Sequence, residues 1–301
     1  MPFPTHTSRT SSPSPSIKKS PANESKEQQD KEEKDSSTTA MDNNPSPPSI
    51  TIRRAKLKDS QTLGTILAAG FIDDDVFGEY LFPHRREYPD DYRLQFARMM
   101  RSHMYKRGHR VRVAVDSSSS RVIGVASWER QGRKKTSKST TATKEKRSNN
   151  DHNNNSVCLL FKHVAIRSLD AISSIIHPDR SVSVENKRNF DAEVPNYKHY
   201  WSGSRSETWY LSFLAVDAEY RGCGAGRALV EEGIRWGETD GVCVSLISTE
   251  CGDGFYQRLG FVDVGSATQG ALKGLRGGSI KFYERHLEKS EKEEEDEEKQ
   301  S

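Results

Sequence analysis

Three glycines at alternate positions, Gly222, Gly224 and Gly226, follow Arg221 and separate two segments of opposite periodicity. Before them, Thr208-Trp209-Tyr210-Leu211-Ser212-Phe213-Leu214-Ala215-Val216 reads as the strongest strand of the chain; after them, Ala228, Leu229, Val230, Ile234 and Trp236 recur at helical spacing. A glycine-rich bend at a helix start leaves successive main-chain N–H groups unpaired, and the missing Cβ atoms permit positive φ and close approach of a ligand. Such a bend suits a phosphate. The helix dipole adds only about 0.3–1 kcal/mol at an exposed end, so several amide hydrogen bonds must supply the rest, which suits a pyrophosphate. Two common phosphate signatures do not match. No Lys-Ser/Thr pair follows the glycines as in a P-loop, and alternate glycines are not G-x-G-x-x-G, with hydroxyl residues from Ser245 to Thr249 where an acid would end the next strand.

A second aromatic-rich stretch, Gly254-Phe255-Tyr256-Gln257-Arg258-Leu259-Gly260-Phe261, lies downstream. With it, Val216-Asp217-Ala218-Glu219-Tyr220-Arg221-Gly222-Cys223-Gly224-Ala225-Gly226-Arg227-Ala228-Leu229 resembles the acyl-CoA motif of the GNAT superfamily of N-acetyltransferases, in which Arg/Gln-x-x-Gly-x-Gly/Ala binds pyrophosphate. Arg221, Gly224 and Gly226 fill its defined positions, and the downstream stretch resembles the family's Tyr-x-x-x-Gly-Phe motif. The likeness runs from Ile50 to Tyr283, strongly in the second half; in the first half Phe82-Pro83-His84-Arg85-Arg86 resembles a fungal subgroup. Ala218 stands where proline is common, and Cys223 where a basic residue often meets a phosphate.

The resemblance implies an acyl-CoA-dependent N-acetyltransferase that passes an acetyl group from acetyl-CoA to an amine by direct attack on the thioester. It implies cofactor contacts from Leu214, Ala215, Val216, Arg221, Gly222, Cys223, Gly224, Ala225, Gly226, Arg227, Phe255 and Tyr256. Main-chain N–H groups between Leu214 and Val216 would polarise the carbonyl, and the Tyr256 phenol would protonate the departing sulfur. The bland reading of Tyr256 is a core aromatic beside Phe255 and Phe261. Glu207, at the head of the strand, is the candidate base; Glu129, Asp73 to Asp75 and Glu250 stay open, as does a water relay. The other reading is a non-catalytic acyl-CoA-binding module, left open by Ser212 in mid-strand and by the lack of an obvious base. The acceptor is expected to be a small-molecule amine, with a peptide amine as the alternative. It would be selected by residues 71–89 and 176–203.

The elements that must position these residues follow from pattern. Alternation over Ser49 to Arg53 predicts a strand, and Lys58-Asp59-Ser60 caps a helix through Leu63, Ile66 and Leu67. Tyr92, Phe96, Met99, Met100 and His103 predict one helical face; Val111–Val115 and Val122–Trp128 predict an antiparallel hairpin. Leu159 to Ile176 has helical period and stops before Pro178. The apolar run Val242–Ile247 predicts a strand buried on both faces and parallel to the one at 208–216, and residues 260–264 and 280–283 complete the sheet. The fold class expected is α+β (an α/β mixed sheet), with a central mixed sheet of about six or seven strands flanked by helices, the GNAT-like acyl-CoA N-acyltransferase fold. Trp128, Trp201, Trp209 and Tyr210 are expected in the core or along the acceptor cleft.

Of 301 residues only 33% are hydrophobic, and the mean hydropathy of -0.84 points to much solvated chain. Residues 1–49 and the acidic end 288–301 read as disordered tails around a domain at 50–287, with a polar insertion at about 133–156. The net charge of +3 combines a basic insertion and an acidic tail, so no basic face suggests nucleic acid. Cys158, Cys223, Cys243 and Cys251 show no C-x-x-C spacing, and His84, His103, His163 and His199 lie in separate segments, so neither disulfide scaffold nor metal is expected. With no run near the ~18 apolar residues of a membrane span, the expected setting is cytoplasmic, with the nucleus as alternative.

Overall fold

The computed structural model describes residues 49–132, 164–166, 168–284 and 287. The segments read as tails and as an insertion, apart from Ser49, lie outside these residues, as do Cys158 and His163. The elements are β1 (Ile50–Arg54), α1 (Ser60–Gly70), α2 (Pro89–Tyr105), β2 (His109–Asp116), β3 (Val122–Gln131), α3 (Val184–Tyr197), β4 (Thr208–Val216), α4 (Ala225–Asp240), β5 (Cys243–Ser248), α5 (Asp253–Arg258), β6 (Val262–Ser266) and β7 (Ser279–Tyr283). Residues 168–176 are also helical. The seven strands form one α+β mixed sheet in the order β1-β2-β3-β4-β5-β7-β6.

Local chemistry explains the main turns. Asp116 ends β2 by accepting hydrogen bonds from Ser118 N (3.0 Å), Ser118 Oγ (2.8 Å) and Ser119 Oγ (2.6 Å), which makes the hairpin into β3. Proline at the first turn of α2 and Asp90 and Asp91 beside it suit a helix start. β5, buried along most of its length, runs parallel to β4 and antiparallel to β7. A parallel pair needs a crossover, and α4 provides it.

The helices cover the sheet in two layers. Leu63 and Leu67 of α1 and Phe96 and Met100 of α2 pack with Phe213 in one core cluster; Leu229 and Val230 of α4 pack with Trp128 and Leu246 in another. Each such side chain contributes about 1.5–3 kcal/mol on full burial. α4 approaches Trp128 so closely that a Cβ at Gly233 would fall 2.2 Å from the indole ring.

Two features were not read in sequence. β7 inserts between β5 and β6, because alternation fixes which face a residue takes and not which strand lies beside it. Residues 184–197 form α3 although only Tyr197 is buried. That helix is held by Phe190 and Tyr197, which pack on two core clusters, and by polar contacts: Ser183 caps it, Asn186 Nδ2 donates to Tyr80 O (2.8 Å), and Glu193 Oε1 accepts from Ala271 N (2.9 Å). Trp128 and Trp209 are core residues, and Trp201 and Tyr210 pack edge to face at 6.0 Å; none of the four lines the cleft described below.

Candidate functional site

The sheet splits in the middle of β4. Pairing with β5 runs from Thr208/Cys243 to Leu211/Leu246 and stops there, while β4 continues along β3 to Val216. On the β3 side Ser127 faces Phe213 and Trp128 faces Leu211, so Ser212 has no opposite residue. This is a β-bulge, which adds twist and turns the rest of β4 away from β5. Ser212, whose place in mid-strand left the non-catalytic reading open, stands at the bulge position.

The splay leaves amides unpaired. Asp217 N donates to Ile123 O (2.8 Å), which sets the phase of β4. By strand alternation Phe213 and Ala215 direct their N–H groups to β3, and Leu214 and Val216 direct theirs to the opposite edge, where no strand follows. The opening between β4 and β5 is a cleft of about 720 Å³ lined by Leu214, Ala215 and Val216.

The glycine bend closes one end of this cleft. Gly222 and Gly224 have φ of +81° and +91°, with open space where a Cβ would stand, so the chain doubles back into α4 without a side chain in the way. The first bond of α4 is Ala228 N to Gly224 O (3.0 Å). The N–H groups from Gly222 to Arg227 therefore donate to nothing among the described residues. Arg221 and Arg258 both line the cleft and form no ion pair there among the described residues. Arg227 also lines it, with its guanidinium on Glu231 (2.7 Å). Free amides and unpaired guanidinium groups on one wall fit a diphosphate.

Tyr256 lines the cleft from α5, 8% exposed, with its ring against Phe255 (5.1 Å) and Phe261 (5.8 Å). Burial pushes its phenol well above the usual tyrosine range, so it carries its proton at neutral pH. Its hydroxyl makes no hydrogen bond among the described residues. The ring of Phe255 lies 3.6 Å from where a Cβ of Gly226 would be, so α5 and the glycine bend meet directly.

Another part of the cleft wall is acidic. Asp73, Asp74, Asp75 and Glu250 line it together with Arg276. Burial raises the Asp74 carboxyl against hydrogen bonds from the Phe77 and Val76 amides. Asp75 is held below the usual range by its bonds from Arg276.

Two of the side chains expected at the site, those of Glu207 and Cys223, do not reach it. Glu207 pairs with Arg130 (2.6 Å) at the far end of β4, about 23 Å along the strand from Leu214 at ~3.3 Å per residue, and does not line the cleft. A base at that position has no access to the opening. Cys223 is partly buried against the α4-side core, so its thiol turns away from the bend's open side. Glu129 lies 3.5 Å from Lys106 and also does not line the cleft. Arg258 and Arg276 were not singled out from sequence. Arg258 sits two residues after Tyr256, but nothing in its residue type separates it from a solvated helix charge.

Residues 192–261, which span the end of α3, β4, the glycine bend, α4, β5 and α5, match the model of the acetyltransferase (GNAT) family. Over these residues the chain matches a GNAT domain. The acyl donor of GNAT proteins is acetyl-CoA. Solved structures similar to this chain include the histone acetyltransferase HPA2 and related acetyltransferase from Corynebacterium glutamicum, at 18% identity over 78% of this chain and 95% of that one, TM-score 0.46. The PaiA N-acetyltransferase from Thermoplasma acidophilum, in complex with coenzyme A, shares 14% identity over 78% and 99%, TM-score 0.40. A mosquito arylalkylamine N-acetyltransferase-like 5b shares 18% over 78% and 98%, TM-score 0.39. No curated protein matches the chain.

Proposed function

We propose that this chain catalyses transfer of an acetyl group from acetyl-CoA to an amine, by direct attack of the amine on the thioester. One observation carries this reading: the unpaired amides of Leu214 and Val216, the free N–H groups of the glycine bend and the Tyr256 phenol all face one cleft. When bound, acetyl-CoA supplies an activated acetyl thioester. The amides from Gly222 to Arg227, with Arg221 and Arg258, would hold its phosphates. The N–H groups of Leu214 and Val216 are placed to donate to a carbonyl oxygen as it gains charge, without reorganisation. Tyr256, protonated at neutral pH as any phenol is, would give its proton to the leaving sulfur, and the proton lost by the attacking amine would restore the phenol. The acceptor amine would come from the acidic part of the cleft.

Acyl-CoA binding without turnover is the second reading: Glu207 is displaced from the opening, although Asp73 to Asp75 and Glu250, the other candidate bases, line it. A thiol-release assay with acetyl-CoA and a panel of amines separates the two. Transfer gives amine-dependent release of free thiol; a binding module gives none while still titrating with acetyl-CoA.

A further inference from the structure

The acidic part of the cleft is crossed by an ion-pair network that the transfer chemistry does not use. Arg276 lies in the link between β6 and β7 and joins three chain segments. Its Nη2 meets Asp75 Oδ1 (2.7 Å), its Nε meets Asp75 Oδ2 (3.2 Å), and its main-chain N–H donates to the same Oδ2 (2.9 Å). Its Nη1 lies 2.9 Å from Glu250 Oε2. Asp75 begins a π-helical turn, Asp75–Tyr80, on the α1 side of the splayed sheet, whereas Glu250 follows β5 on the other side. The guanidinium therefore spans the opening, and all three residues line it.

This bridge is built to come apart. Arg276 is 63% exposed, and an ion pair that open to water is easily broken. Its link passes through Gly274, at φ +96° with nothing within 4 Å of a Cβ position. Gly277 is fixed, because a Cβ there would fall 2.7 Å from Glu250 N, so the segment closes tightly on the β5 side. An alkylamine in neutral water is a cation, as the guanidinium is, and matches the same two carboxylates.

We propose that Arg276 bars the acceptor mouth, and that a protonated alkylamine enters by taking its place between Asp75 and Glu250 and then gives up one proton to water to become the neutral nucleophile. The identity of the incoming cation rests on the acetyl-transfer reading; the bar itself does not. The bar selects for acceptors that are cationic at neutral pH over arylamines, which are not.

Two measurements test this. In Arg276→Gln the KM for an alkylamine such as 1-aminopentane should fall about fivefold, the effect of one partly exposed ion pair, with kcat and acetyl-CoA affinity unchanged. Arg276→Lys, which keeps the charge, should stay near the unmodified chain, and an unchanged or raised KM in Arg276→Gln overturns the proposal. The second readout needs no turnover. In a Ser212→Cys, Cys251→Ser background the cationic reagent 2-aminoethyl methanethiosulfonate should modify residue 212 several-fold faster once Arg276→Gln is added, as read by peptide mass. Equal rates refute the bar. Faster modification in a protein that fails to bind acetyl-CoA would leave the bar standing and remove the transfer reading.

Discussion

Replacing Tyr256 by phenylalanine removes one oxygen and leaves the ring in place. The packing against Phe255 and Phe261 is made by the ring and survives, and the hydroxyl forms no hydrogen bond among the described residues, so folding should change by about 1 kcal/mol or less. Catalysis should change far more. General-acid assistance contributes 10²–10⁴-fold, equivalent to about 3–5 kcal/mol of barrier at ~1.36 kcal/mol per tenfold. Thiol release under saturating acetyl-CoA and amine measures the rate, thermal melting the stability, and calorimetric titration the affinity. The expected pattern is a loss of kcat by two orders of magnitude or more with melting temperature and acetyl-CoA Kd nearly unmoved. A purely structural tyrosine gives the reverse, and a Tyr256→Phe enzyme with full activity would refute the assignment of the proton donor.

Other perturbations bear on the positioning of the site. Arg221→Gln should weaken acetyl-CoA binding by about tenfold, the loss of a charge-assisted bond, without lowering the melting temperature, since Arg221 pairs with no described residue; titration and melting together check it. Gly233→Ala should destabilise the fold by about 1–3 kcal/mol in urea, because its Cβ would overlap the Trp128 indole; an unchanged midpoint contradicts the packing of α4. Burial, with His109 and Lys106 nearby, lowers the His103 imidazole from 6.5 to about 4. Unfolding then takes up a proton between those values, so stability is complete above pH 6.5 and falls as pH drops towards 4, by at most about 3 kcal/mol. His103→Gln should flatten that slope in denaturant titrations across the window, and an unaltered slope excludes His103 as its source.

The half of the domain that builds the glycine bend was legible because its signals are local. A strand, three alternate glycines and a helix adjoin in sequence, and positive φ at Gly222 and Gly224 is what glycine is suited to. The parallel pairing of β4 with β5 was legible from the two-sided burial of Val242 to Ile247. Neighbour order in the sheet was not, since β7 reaches its place through tertiary packing. Glu207 looked like a base because it heads the central strand, yet its partner Arg130 lies 77 residues earlier, and only the folded pair shows it facing away from the splay. Asp73 to Asp75 and Glu250 were legible as candidate acids of the site and do line the cleft, but their partner Arg276 was hidden, since Asp75 and Arg276 meet across 201 residues of chain. α3 was missed because polar contacts and two aromatic side chains seven residues apart, Phe190 and Tyr197, hold it, without a continuous apolar stripe.

Isothermal titration of acetyl-CoA into the full-length chain tests most directly whether the free amides from Gly222 to Arg227 form a diphosphate site. Saturable binding with one site per chain is expected, weakened by Arg221→Gln and abolished by a bulky substitution such as Gly224→Val. An absence of binding, or binding indifferent to both substitutions, would contradict it.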